Sequence, residues 1–229
     1  EKNTKEYTSM KACTLAVIYN KKKWSLADDL WGNGVRLDSD YERHIDEAGN
    51  LLERFLDMFP RIRNYHQQQE DEVLSEGRVY NALGQCRRLP LPDEPPRSEK
   101  GVYRAYMKHK AHVINQAINY PIQSLAAYVT GCALIDLERA FLKEWKYTYV
   151  EFQTALMEKK WPRMPLLCIE VHDDLVQDIP QGLEDKTKEI THAIMAKPPS
   201  LVAVLPELFD SNVKLSVDTN VAPSWGQKQ

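Results

Sequence analysis

No stretch of this 229-residue sequence approaches the roughly 18 consecutive apolar residues that a membrane-spanning helix needs. A helical span is therefore excluded, and no membrane partner is expected. The opening stretch, Glu1 to Lys11, is polar and mixed in charge, so it does not read as a secretory signal. Four cysteines are present, Cys13, Cys86, Cys132 and Cys168, far apart and with neither a CxxC pair nor a Cys/His cluster. A zinc site is not expected, and reduced thiols in a cytoplasmic compartment are the plain reading. Internal repeats and low-complexity tracts are missing as well. So is a dominant sign of charge: 30 basic residues against 33 acidic ones leave a net −3. Taken as a total, that balance argues against a nucleic-acid binder.

What is present is enough apolar material for a core, 43% of the chain, and an uneven distribution of charge. Between Arg97 and His112 the bases Arg97, Lys100, Arg104, Lys108 and Lys110 face only Glu99. Lys21, Lys22 and Lys23 form a second knot. Either could be no more than a solvated surface.

The periodicity predicts a helix over 7–31, with apolar positions at Leu15, Ile18, Tyr19 and Leu26. Gly32-Asn33-Gly34 breaks it. Asp38 or Ser39 is the expected cap of a second helix running to about Met58, and a third covers Arg61 to Ser75. Gly77 opens a short β-prone piece over 78–83 that turns at Gly84. Pro90 to Pro96 reads as a loop and as a subdomain boundary. From Ala111 to Trp145 the pattern is helical, interrupted at Pro121, which suits a first helical turn. Ile122, Leu125, Ala126, Val129, Cys132, Ala133, Leu137 and Phe141 form its apolar stripe. Two strands follow, Leu166–Val171 and Leu175–Ile179, joined by His172-Asp173-Asp174 as a tight antiparallel hairpin. A helix over 183–196 and a final strand near Val213 to Val217 complete an α+β chain.

Three constellations can carry chemistry. Asp173 and Asp174 stand together at the hairpin tip. Carboxylates are hard oxygen ligands suited to Mg²⁺, and two-metal phosphoryl transfer needs such ligands beside the reacting phosphate. The bland alternative is that Asp-Asp simply favours turns. Asn115, Asn119 and Gln123 recur every fourth residue, which aligns three amides on one helix face. Amide donors suit the acceptors that every base pair shows in the minor groove, although a solvated polar face would look the same. Lys11, Leu15 and Tyr19 share a face of the first helix, where a lysine could hold a triphosphate or merely be exposed.

Together these residues resemble DNA polymerase family A, and the resemblance covers essentially the whole chain. It rests on Lys11 and Tyr19, on Gly77-Arg78-Val79 with Gly84-Gln85-Cys86-Arg87-Arg88-Leu89-Pro90, on Ile118-Asn119-Tyr120-Pro121-Ile122-Gln123-Ser124, and on Val171-His172-Asp173-Asp174-Leu175. The closing strand and Trp225 also match the family's pattern. The resemblance implies a helical fingers subdomain over 1–100 and, over 101–229, part of the antiparallel-sheet palm of a right-hand polymerase. It implies Asp173 as a metal-binding catalytic aspartate, with Asp174 where the family usually has glutamate. Lys11, Leu15 and Tyr19 would bind the nucleotide. Arg87, Arg88, Asn119, Gln123 and His172 would contact DNA, His172 near the primer's 3′ end. The implied partners are primer-template DNA, a dNTP and two Mg²⁺ ions.

The departures are specific. Tyr7 stands where the family has an arginine on the triphosphate, with Lys5 nearby. Leu15 replaces an aromatic that packs on the sugar, Asn20 a glycine and Asn115 an arginine. The family's other catalytic aspartate belongs to an Asp-Tyr-Ser-like strand upstream of the first helix. It is therefore expected from an N-terminal polymerase segment or a separate chain, without which this chain would be inactive. A bacteriophage origin, with residence in the host cytoplasm, would fit that layout. Two alternatives stay open: a non-catalytic DNA-binding or scaffold subunit of a replication complex, and a relative of single-subunit RNA polymerases.

Overall fold

A computed structural model describes residues 5–210 and 215–224. Packing divides the chain into two compact units, 1–123 and 124–229. The division falls inside a helix, not at the proline-rich loop, which joins two parts of the first unit.

The first unit begins with α1 (Lys5–Ile18) and α2 (Lys23–Gly32). The single helix expected over 7–31 is thus broken, and Asn20 is the reason. Its φ of 51° is left-handed. Asn20 N–H donates to Val17 O at 3.2 Å and Lys21 N–H to Ala16 O at 2.8 Å, the paired bonds of a Schellman cap. Asparagine tolerates this conformation better than other residues with a side chain. The buried face also differs from expectation: Cys13, Ala16 and Val17 enter the core with Leu26, Ala27 and Leu30, while Leu15 is exposed.

Helix α3 (Tyr41–Met58) packs on these two through Ile45, Ala48 and Leu52. Its cap is Asp40, not Asp38 or Ser39: the Asp40 carboxylate accepts Arg43 N–H at 3.0 Å. Helix α4 (Pro60–Glu76) starts on a proline and ends on Gly77 at φ 66°, as expected of both residues. Strands β1 (Arg78–Tyr80) and β2 (Cys86–Arg88) form an antiparallel hairpin. Its turn is closed by Asn81, whose Oδ1 accepts from Leu83 N and Gln85 N, both at 3.0 Å.

Helix α5 (Lys100–Glu144) starts about three turns earlier than expected and is helical through Pro121. An internal proline leaves the carbonyl four residues back without its donor and crowds that turn. Here the Tyr65 hydroxyl donates to the neighbouring carbonyl of Ile118 at 2.6 Å, so tertiary bonding supports a turn that sequence reading ends. Val113 and Ala117 of α5 complete a second core with Val73, Val79 and Leu89.

The second unit holds the rest of α5, α6 (Tyr149–Met157), β3 (Leu166–Val171), β4 (Asp174–Asp178), α7 (Glu184–Ala196), α8 (Pro199–Val204) and α9 (Glu207–Asp210). Thr148 and Glu151 form a capping box at α6. The core joins Leu137, Phe141, Phe152 and Met164, with Leu166, Leu175 and Ile190 against it. Only the later part of the expected α5 stripe is buried: Cys132, Ala133, Leu137 and Phe141 are, whereas Ala126 is exposed. The antiparallel β3–β4 pair matches the sequence pattern, with a bulge at Cys168 between the Leu167–Gln177 and Ile169–Val176 pairs. Of the final strand expected near Val213 to Val217, Val213 and Lys214 lie outside the described residues and 215–217 carry no regular structure. Trp225 also lies outside them. Among the described residues no helix is long and apolar enough to cross a membrane. The whole is α+β, mostly helical with two small antiparallel sheets.

Candidate functional site

The first unit carries an open cleft of about 410 Å³, within the range of small-ligand sites. Its lining comes from two stretches: Tyr19, Asn20, Lys21, Lys22 and Ser25 at the α1–α2 break, and Asn115, Asn119 and Gln123 on α5. The expected amide row therefore faces a concave surface. The break in the helix places Tyr19 there too. Asn20 Nδ2 donates to Asn115 Oδ1 at 3.4 Å, a long bond that joins the α1–α2 break to α5.

The cleft is polar and partly basic. Of the three neighbouring lysines, Lys21 is paired with Asp29 and Lys23 with Asp46. Lys22 has no carboxylate partner among the described residues and instead donates to Asn20 Oδ1 at 3.4 Å. Asp28 and Asp29 are committed, to Tyr41 and Lys21 respectively. Asn119 Oδ1 is buried and has no hydrogen-bond partner. An unmet buried acceptor costs about 1–3 kcal/mol.

Two residues of α4 brace the walls. Beside the Tyr65–Ile118 bond, the His66 Nε2 lies 3.1 Å from Ile18 O, at the end of α1. Burial lowers the His66 pKa, the Ile18 carbonyl opposes that shift, and the charge of Lys22 adds to it. Burial pushes the Tyr65 phenol up to about 12. The imidazole is thus neutral at pH 7, with its Nε2–H donating to the carbonyl.

Lys11 and Leu15 are exposed on α1, two turns and one turn respectively from Tyr19 on the same face, and do not line the cleft. Arg87 and Arg88 are exposed on β2. The Arg87 guanidinium lies 5.8 Å from the Tyr120 ring centroid, which brings it to α5 next to Asn119. The cleft residues Asn20, Lys21, Lys22 and Ser25 are not among the site residues that the sequence predicts. Only the lysine knot hinted at them.

In the second unit, β3 and β4 are joined by a turn with His172 and Asp173 at its centre, since Val171 pairs with Asp174. His172 adopts φ 58° and Asp173 does not have positive φ, the pattern of a type II′ turn, which normally takes glycine first. A histidine there stores backbone strain, a feature that concentrates at functional sites. His172, Asp173 and Asp174 are all exposed. Their donor set suits Mg²⁺, which takes one or two carboxylates plus waters and substrate phosphates. Among the described residues no group of three or more His, Cys, Asp or Glu is placed to hold a metal.

Comparison with known proteins gives a consistent answer. The model of DNA polymerase family A matches residues 1–227. DNA polymerase I A, chloroplastic, of Oryza sativa is 27% identical over 191 residues, 83% of this chain and 15% of the relative. DNA polymerase I of Rhizobium leguminosarum is 26% identical over 217 residues, 95% of this chain and 17% of the relative. The chain thus spans less than a fifth of the length of these curated relatives. Among solved structures, the POL domain of Pol1 from M. smegmatis, in complex with DNA primer-template and dNTP, matches with a TM-score of 0.56 at 20% identity, over 83% of this chain and 27% of that one. At that identity the likeness speaks for the fold.

Proposed function

Because this chain belongs to DNA polymerase family A, as its match over residues 1–227 shows, we propose that it is the C-terminal part of a template-dependent DNA polymerase. The observation that carries the reading is the cleft, which gathers Tyr19 with Asn115, Asn119 and Gln123 around one concave surface. In this reading residues 1–100 act as fingers and 101–229 as part of the palm.

The reaction joins a dNTP to a primer. The primer's 3′-oxygen bonds to the α-phosphorus, the α–β phosphoanhydride bond breaks, pyrophosphate leaves and the hydroxyl proton passes to solvent. Asp173 and Asp174 would hold Mg²⁺ through their carboxylate oxygens. When bound, Mg²⁺ supplies positive charge for the attacking oxygen and the leaving pyrophosphate. Asn119 and Gln123 donate to the minor-groove acceptors of the new pair, which tests its shape without reading sequence. Tyr19 lies under the nucleotide, and Lys11, exposed on the same helix face, attracts the triphosphate. Arg87 and Arg88 neutralise DNA backbone, and His172 lies by the primer end.

A second carboxylate-bearing segment, upstream or on another chain, completes the metal site. Two observations support this: among the described residues no third His, Cys, Asp or Glu joins the pair, and β3 leaves Ile169 and Val171 45% and 36% exposed on one face, an apolar surface open to a further segment. The test is primer extension by this chain alone and mixed with the upstream polypeptide. Extension only in the mixture, lost on Asp173→Ala, is the expected result. Robust synthesis by the chain alone would sink the shared site. Undiminished synthesis by the Asp173→Ala mixture would favour a scaffold subunit, a reading that the exposed Leu15 in place of an aromatic gives some ground. Preference for rNTPs would favour the RNA polymerase relative.

A further inference from the structure

The cations Lys100, Arg104 and Lys108 are exposed along the first turns of α5. Among the described residues no carboxylate pairs with any of them. At ~100° per residue they fall within an arc of ~80°, and Asn115 and Asn119 fall within ~20° of that arc. Val113 and Ala117, buried with Val73, Val79 and Leu89, mark the opposite face. The basic residues therefore extend the amide row of the cleft along one helix face, with a rise of about 6 Å between successive cations and about 10 Å from Lys108 to Asn115. The net charge of the chain is −3, so three unpaired cations in line are a local feature, not a consequence of composition.

One aromatic ring borders the row: Tyr103 falls ~60° from Lys100 around the helix, with the Arg97 guanidinium 5.8 Å from its centroid. A straight track of cations bordered by an aromatic side chain suits single-stranded nucleic acid, whose backbone can follow the charges while a base stacks on the ring. We infer that Lys100, Arg104 and Lys108 form a ridge that holds the phosphates of a single-stranded DNA segment continuous with the strand in the cleft. In a polymerase this segment is the unpaired template. The inference rests on the proposed function for the identity of the strand, and on the exposed row alone for the binding.

The test is the affinity of the full chain for a labelled oligodeoxythymidylate of about 20 nucleotides, longer than the usual footprint of a single-strand site, and for a blunt duplex of equal length. Both are measured by anisotropy from about 50 to 200 mM salt, where phosphate contacts express themselves. Lysine, arginine and glutamine are comparable helix formers, so K100Q/R104Q/K108Q should keep the fold, checked by circular dichroism. Three single-strand phosphate contacts contribute a slope of about 2 in log K against log[salt]. Across that range wild type should then lose about 20-fold more affinity for the oligonucleotide than the triple variant does. The control K143Q/K186Q/K188Q, exposed in the second unit, should behave as wild type. Arg104→Glu alone should weaken single-strand binding more than Arg104→Gln.

Equal slopes for wild type and the triple variant overturn the ridge, as does wild type failing to bind the oligonucleotide at low salt. A larger change on the blunt duplex than on the single strand overturns the single-strand assignment. Primer extension separates the two readings. Ridge-dependent binding with no extension by any reconstituted mixture leaves the ridge standing without the polymerase. Extension with no ridge dependence does the reverse.

Discussion

The acidic hairpin of the second unit draws its candidate chemistry from three consecutive residues, His172 to Asp174, fixed by a two-residue turn between paired strands. The cleft of the first unit joins side chains 95 residues apart, Asn20 and Asn115, and needs three helices to do so. The hairpin is local, exposed and strained at His172. The cleft is assembled, partly buried, and leaves one amide oxygen unsatisfied. A local site depends on its own turn and on ligands brought from elsewhere. An assembled one depends on the packing behind it. Substitutions should therefore separate activity from stability in the hairpin and couple them in the cleft walls.

The largest expected effect tests the hairpin. Asp173→Ala in the reconstituted assembly should slow single-turnover extension by on the order of 10³-fold, since a lost metal ligand removes several kcal/mol of transition-state stabilisation. Thermal stability of the isolated chain should be unchanged, because the residue is exposed. Strong destabilisation would erase the contrast.

Next comes the cleft floor. Asn119→Ala should weaken primer-template binding by up to about tenfold, the worth of one hydrogen bond. It should leave stability unchanged or raised, because the buried oxygen is removed with nothing to lose. A fall in melting temperature with no change in affinity would make Asn119 a structural residue.

A wall residue should behave the other way. Tyr65→Phe strips the donor from Ile118 O beside Pro121 and should cost about 1 kcal/mol, or about 2–4 °C in Tm, read by calorimetry. Binding should suffer only through that loss.

The smallest effect concerns pH. His66 has a lowered pKa in the folded chain, chiefly through burial, so the unfolded chain takes up a proton first as pH falls. Stability should be full above the ordinary histidine value of about 6.5 and decline below it. His66→Gln should flatten that decline, measured as the difference in denaturation midpoint between mildly acidic and neutral buffer. Identical pH profiles would remove His66 from the bracing of α1.

Sequence alone determined the parts whose physics is local. Gly77 at the opening of a short strand, the Gly32-Asn33-Gly34 breaker and the hydrophobic runs around His172-Asp173-Asp174 each act through a few neighbouring residues, so the hairpin and most helices were legible without coordinates. The four-residue spacing likewise fixed one face for Asn115, Asn119 and Gln123, because helix geometry is the same everywhere. Where competition between distant groups decided the outcome, the reading changed. The Schellman cap at Asn20 split the first helix, Tyr65 supported α5 through Pro121, and core packing chose Cys13, Ala16 and Val17 over Leu15. Only tertiary structure could seat Asn20, Lys22 and Ser25 opposite the amide row, since contacts across 95 residues depend on how helices pack and leave no period in the chain.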